Sequence, residues 1–227
     1  MDALYVLGNS SQYNNLELRL SLRSLEKYAI GLESVFIVGE KPRWIKNVVH
    51  IPVDDVYTRE NNVFRKILVA CKSPISENFL FMNDDFYMMK PFIMSDYPYF
   101  VNGEVVSIKN PSRYQQIQNK TLEKLQSKGI TRVMDYRVHC PIIFNKEKFL
   151  KLESYYKATK LENVGYSARL LYGNLFVKDY IKADDCKLWE VNEIAETEQG
   201  CISTKDDCED ILNELLEIFD NPSKYER

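Results

Sequence analysis

The chain has 227 residues with 45% hydrophobic content, enough for one large domain with a sizeable core. Its formal net charge of -3 argues against a basic nucleic-acid clamp, and no apolar run reaches the length of a membrane span. The five cysteines form no CxxC pair and there are only two histidines, so thiolate or His-rich metal sites are disfavoured and any metal would be a hard ion on oxygen.

Residues 3 to 7, ALYVL, read as a short buried strand, followed by the polar loop GNSSQYNN. Asn9 in that loop is a candidate substrate contact, although a turn-forming Asn is the commoner explanation. Neither GxGxxG nor GxxxxGK[ST] is present. The start, MDALYVLG, lacks the basic and long apolar segments of a signal peptide. A helix is expected from Leu16 to Tyr28, capped by Asn14, with Leu18, Leu22 and Leu25 on its apolar face. Arg19, Arg23 and Lys27 recur every four residues on another face. Solvation is the ordinary reading of that face; a phosphate-facing Arg23 is the functional one.

Strands are expected at 34–38 and 48–53, where His50 among apolar neighbours reads as structural. A helix capped by Thr58 runs to about Lys72, and its polar Asn62 and Lys66 are candidate ligand contacts. Then comes FLFMNDDFYMMKPF, residues 79 to 92. An apolar strand here delivers Asn83, Asp84 and Asp85 at its carboxyl end, where open α/β sheets bind ligands. Adjacent carboxylates repel, so a cation would relieve them; a plain polar turn is the alternative.

Further strands are expected at 105–109 and from His139 to Phe144, with helices over 111–128, from Asn145 and from Val164. His139, with Asp135 and Arg137 near it in sequence, is a candidate base, and Arg137 a candidate substrate contact. Arg169 beside Leu170, Leu171 and Tyr172 is placed to pair with an anion. Strands at 175–181 and 187–191 and an amphipathic helix from Lys205 to Phe219, capped by Thr204, complete the chain. The β-α-β-β-α-β order of the first 90 residues predicts an α/β fold, a mostly parallel sheet flanked by helices, with a small helical C-terminal part. No Gly-, Ser- or Pro-rich linker divides it, so 1–227 reads as a single domain with a nucleotide-binding half, 1–110, and an acceptor-side half, 111–227.

Residues 14–45, followed by FLFMNDDF, resemble the second conserved region of the Stealth proteins, sugar-phosphate transferases that use nucleotide sugars. The likeness rests on Glu17-Leu18-Arg19, Leu22-Arg23-Ser24, Pro42, Trp44 and Asn83-Asp84-Asp85, in order. VHCPIIF resembles the family's third region, and VGYSARLLYGNLF its fourth, with Arg169 in the place of an Arg. Only MDALYVLGN stands near the usual first region, and the chain is shorter than most members.

The resemblance implies a Rossmann-like GT-A glycosyltransferase fold. It also implies a divalent metal, Mg2+ or Mn2+, held by Asp85 with Asp84 on the diphosphate of a nucleotide sugar, a UDP-sugar being favoured. Arg23 and Arg169 would bind phosphate, with Asn9, Asn62, Lys66 and Arg137 as weaker contacts. His139 would take the proton of an acceptor hydroxyl on a glycan or similar molecule. The transferred group is a sugar or a sugar phosphate, as in capsule-type synthesis. A reduced, cytoplasmic setting fits the odd cysteine count. A phage-type glycosyltransferase acting on modified DNA, and a non-catalytic module that binds a glycan or nucleotide, are the competing readings.

Overall fold

The computed structural model describes residues 1–8, 11, 13–194, 197–205 and 208–227. In chain order the elements are β1 (Asp2–Leu7), α1 (Leu16–Tyr28), β2 (Ala29–Ile30), β3 (Val35–Gly39), β4 (Val49–Ile51), α2 (Arg59–Cys71), β5 (Asn78–Met82), β6 (Phe86–Met88), β7 (Phe92–Ile93) and β8 (Phe100–Val101). They continue with α3 (Arg113–Gln126), β9 (Ile142–Asn145), α4 (Lys146–Leu150), α5 (Glu153–Thr159), α6 (Ala168–Phe176), β10 (Ile181–Lys182), β11 (Lys187–Leu188), β12 (Cys201–Thr204) and α7 (Glu209–Ile218).

The main sheet has the order β4-β3-β1-β5-β9. β1, β3, β4 and β5 are parallel and β9 runs antiparallel at the edge. Alternation along the strands splits the core in two. Leu4 of β1 and Phe79 and Phe81 of β5 point to one face, where Phe64, Ile67 and Leu68 of α2 and the helices α4 to α6 pack. Ala3, Tyr5 and Leu7 of β1, with Leu80 and Met82 of β5, point to the other, against Leu18, Leu22 and Leu25 of α1. The chain leaves β1 towards β3 on one side, while β5 lies on the other. The gap between the ends of β1 and β5 is therefore the switch point at which such sheets hold ligands.

At Met82 the chain turns out of the main sheet. Phe86 N–H donates to the Asn83 carbonyl at 3.3 Å, and β6 then joins a second sheet of order β11-β12-β6. Asn83, Asp84 and Asp85 thus form the corner between two sheets. The corner is pinned from α1. Ser21 Oγ donates to the Phe86 carbonyl at 2.6 Å, and Ser24 Oγ accepts the Met88 N–H at 2.9 Å. Gly39, at the end of β3, has φ +116°, and a Cβ there would meet the Leu7 carbonyl at 2.1 Å, so only glycine fits that approach.

Several expected boundaries differ. The segment 105–109 is not a strand, and the expected strands at 175–181 and 187–191 shrink to β10 and β11. Both are two-residue pairings, β10 with β8 across 81 residues and β11 with β12 across 16. The helices near 14, 58 and 204 start without the expected side-chain caps: Asn15 and not Asn14 holds the cap position of α1, neither Asn15 nor Thr58 makes a capping hydrogen bond, and α7 begins after Cys208. His50 is structural, its Nε2 lying 2.9 Å from the Gly39 carbonyl.

Candidate active site

The corner residues Asp84 and Asp85 are partly exposed and converge with side chains from three later segments. Burial first, then the charge of Asp85, pushes the Asp84 carboxyl up to about 7. Glu17 on the first turn of α1 adds to this, and the Arg59 guanidinium at the start of α2 opposes it. Burial also raises Asp85, in part offset by a hydrogen bond from Ser203 and by the charges of His139 and Lys187.

The register explains how those groups arrive. Ser203 of β12 pairs with Phe86, and Lys187 of β11 pairs with Ser203. Ser203 Oγ therefore donates to Asp85 Oδ2 at 2.7 Å, with Lys187 one strand further on. His139 precedes β9, and its Nδ1 lies 2.7 Å from Asp185 Oδ2 and 3.0 Å from Oδ1. Its backbone N–H donates to the same carboxylate at 3.0 Å. Burial pushes Asp185 up, but these hydrogen bonds outweigh it and hold the carboxyl below the usual range. The pairing fixes the ring with its proton on Nδ1 and leaves the Nε2 lone pair available when the ring is neutral.

Arg169 of α6 links the two halves of this site. Its Nη2 donates to the carbonyl of Cys140, the residue after His139, at 2.5 Å. Its guanidinium lies 5.8 Å from the ring of Phe86, the residue after Asp85. Its Nε is buried without a hydrogen-bond partner among the described residues. Arg137 stands two residues before His139, held by Asp135 at 2.7 Å and by Gln118 Oε1 at 2.7 Å.

The structure thus groups Asp84, Asp85, His139 and Arg169, with Arg137 alongside. Three other candidates have their polar atoms engaged by partners inside the protein. Arg23 donates to both Glu226 oxygens, at 2.8 and 2.9 Å, and to the Phe219 carbonyl at 2.7 Å. Asn62 Oδ1 accepts the backbone N–H groups of Val56 and Tyr57, and its Nδ2 donates to the Tyr57 carbonyl. Lys66, buried at 3% exposure, donates to the Leu7 carbonyl at 2.6 Å and pairs with Asp55 at 2.5 Å. Asn9 lies outside the described residues.

Sequence reading missed Asp185, Ser203, Lys187, Glu17 and Arg59. A second Asp-Asp pair, Asp184-Asp185, just ahead of Lys187 was the available signal. Arg59 and Lys187 have no ion-pair partner within 4 Å among the described residues, which leaves both free to meet an anion.

The donor set suits a hard divalent ion. Two adjacent carboxylates offer oxygen ligands, and the charge of Asp85 helps raise the Asp84 carboxyl, which a cation would relieve. No group of three or more His, Cys, Asp or Glu side chains converges as a complete metal cage among the described residues. Magnesium sites of one or two carboxylates, completed by substrate phosphates and water, have this form.

No family model matches the chain. The capsular polysaccharide phosphotransferase of Neisseria meningitidis serogroup B is 23% identical over 146 residues, which cover 56% of this chain and 35% of that protein. The match thus spans about a third of the relative's length. The galactosyltransferase LgtC, solved with donor and acceptor sugar analogs, superimposes with a TM-score of 0.55 at 9% identity, over 99% of this chain and 97% of that one. An active-site mutant of LgtC gives 0.55 at 10% identity, covering 99% and 98%. The fold is that of the GT-A glycosyltransferases: mixed α/β with a mostly parallel central sheet. No helix among the described residues is long and apolar enough to cross a membrane.

Proposed function

We propose that this protein is a nucleotide-sugar-dependent transferase acting on the hydroxyl of a glycan or similar acceptor. The observation that carries the reading is the corner at the sheet switch point, where Asp84 and Asp85 meet a His139–Asp185 pair. The GT-A fold and the capsular relative support it, and they support the resemblance to the Stealth proteins.

Asp85, with Asp84, would hold a Mg2+ or Mn2+ ion. Bound there, the ion would neutralise a nucleotide diphosphate and stabilise charge on its leaving group. Lys187 and Arg59, as cations without carboxylate partners, are the candidate phosphate contacts in place of Arg23 and Lys66. Arg169 braces the corner through its hydrogen bond to the Cys140 carbonyl and its contact with Phe86. His139 Nε2 accepts the proton of the acceptor hydroxyl while Asp185 keeps the ring oriented. Residues 1–110 supply the donor side and 111–227 the acceptor side of one domain, in a cytoplasmic setting.

Two reactions fit this arrangement. Attack of the hydroxyl oxygen on the sugar-linked phosphorus forms a phosphodiester and releases a nucleoside monophosphate. Attack on the anomeric carbon forms a glycoside and releases a nucleoside diphosphate. The name of the capsular relative favours the first. Incubation with UDP-sugars, metal and glycan acceptors, followed by assay of UMP against UDP, separates them. UMP is expected. UDP would assign sugar transfer, and neither product, with no nucleotide binding, would overturn the transferase reading. Tight glycan binding without metal or turnover would mark a binding module instead.

A further inference from the structure

The basic side chains are not spread evenly. Residues 113–128 and 146–162 together hold nine basic and four acidic residues, while the whole chain is -3, so the remainder carries -8. On α3, the basic residues Arg113, Lys120 and Lys124 fall along one stripe at helical spacing, and Lys128 follows in the turn after the helix. Arg113 and Lys120 are answered by Glu60 and Glu162. Lys124 and Lys128, at and just beyond the carboxyl end of the stripe, make no ion pair within 4 Å among the described residues.

Beside those two lysines lies a cavity of about 190 Å³, lined by Lys124, Lys128, Ser154, Tyr155, Ala158 and Tyr166. That is room for about six waters, the bulk of one sugar-sized group. Tyr155 and Tyr166 meet edge to face at 6.0 Å and form its wall. Lys124 Nζ lies 6.0 Å from the Tyr155 ring, and Lys120 Nζ 5.3 Å from the Tyr166 ring. Lysines near a helix carboxyl end complement its dipole, but a dipole accounts neither for the tyrosine walls nor for the cavity between them.

We propose that this cavity binds an anionic saccharide, a sugar unit carrying a phosphate or carboxylate, of the chain that serves as acceptor or product. The ammonium groups answer the charge, and the tyrosine faces answer the apolar side of a sugar ring. α3 joins the cavity to the candidate active site. Gln118 of α3 accepts from Arg137, and Tyr114 on its first turn lies 5.3 Å from that guanidinium. From Tyr114 to Lys124 the helix rises about 15 Å, so an extended chain held at the cavity reaches the neighbourhood of His139. The concave, aromatic-walled shape favours a saccharide over a lipid surface, which is met by a convex apolar helix face. The identity of the occupant rests on the transferase reading, whereas the existence of the site does not.

The test is calorimetric titration with glucose 1-phosphate of three proteins: wild type, Asp85→Ala, and the double variant Lys124→Glu/Lys128→Glu, each checked for an unchanged circular dichroism spectrum. Saturable, salt-sensitive binding is expected in wild type and Asp85→Ala, weakened at least tenfold in the lysine variant. Lys124→Gln/Lys128→Gln should give an intermediate loss. Loss of binding in Asp85→Ala with none in the lysine variants would place the ligand at the catalytic corner and overturn the proposal. Equal binding of inorganic phosphate would overturn the saccharide assignment. Tighter binding of duplex DNA or of phosphatidylserine vesicles would overturn it in favour of those partners. The UMP and UDP assay on the same lysine variants keeps the two readings apart, since donor turnover can fail while the cavity still binds, and the reverse.

Discussion

Asp84 sits where a carboxylate is costly, next to another carboxylate and partly removed from water. Asp84→Asn is therefore expected to stabilise the metal-free protein by about 1–2 kcal/mol, seen as a higher melting temperature. Mg2+ should raise the melting temperature of wild type more than that of this variant. If Asp84→Asn melts lower than wild type, the repulsion inferred at the corner is wrong. Asp185 touches His139 and not the proposed substrate, so it is a positioning residue. Asp185→Asn should lower kcat by about 10- to 100-fold and alter the pH–rate profile, with little change in KM for the donor; an unaltered profile would show that Asp185 is merely structural. The placement of the acids, His139 and Arg169 was legible in the sequence because each adjoins a buried apolar run. The internal partners of Arg23 and Lys66 were not, because Glu226 and the Leu7 carbonyl lie 203 and 59 residues away in sequence.

The same division holds for whole elements. α1 was read with its observed limits and α2 within a residue at each end, since amphipathic spacing is a local property. The antiparallel edge strand β9 and the second sheet β11-β12-β6 were only partly visible, because β9 pairs with β5 across 61 to 67 residues and β12 with β6 across 113 to 117. β9 is held mainly by Phe144, which meets Phe79, Phe81, Phe149 and Tyr172 at ring separations of 4.7 to 6.0 Å. Phe144→Ala should cost about 3–5 kcal/mol in denaturant unfolding. The C-terminal segment is clasped to α1 through Glu226, 5% exposed, paired with Arg19 and Arg23, while Arg19 stacks 4.0 Å from Trp44. The arginines and the tryptophan of the quoted motif thus hold the fold together. Burial raises the Glu226 carboxyl, but hydrogen bonds from Arg23 and Ser223 and the charge of Arg23 outweigh it and lower it from 4.5 to about 2. This pairing therefore contributes stability above about pH 4.5, and the contribution is lost as pH falls towards 2. Glu226→Gln should cost about 3 kcal/mol at pH 7 and flatten the acid limb of the stability curve; an unchanged limb would count against the clasp.

At the scale of the molecule, a parallel sheet brings the ends of β1 and β5 together, and a second sheet carries Ser203 and Lys187 to the same corner. Residues 111–227 add His139 and Arg169 to the corner, and their basic segment around α3 contrasts with the acidic remainder. The α/β class and the position of the acids followed from periodicity alone, whereas the charge polarity emerged only when α3 and α5 were seen side by side. The proposed activity requires metal-dependent binding of a nucleotide diphosphate at Asp84 and Asp85. Calorimetric titration of UDP with and without Mn2+, on wild type and Asp85→Ala, tests that claim most directly. Binding that requires the metal in wild type and is at least tenfold weaker in a folded Asp85→Ala is the predicted result. Binding of equal strength without metal, or unaffected by Asp85→Ala, would contradict it.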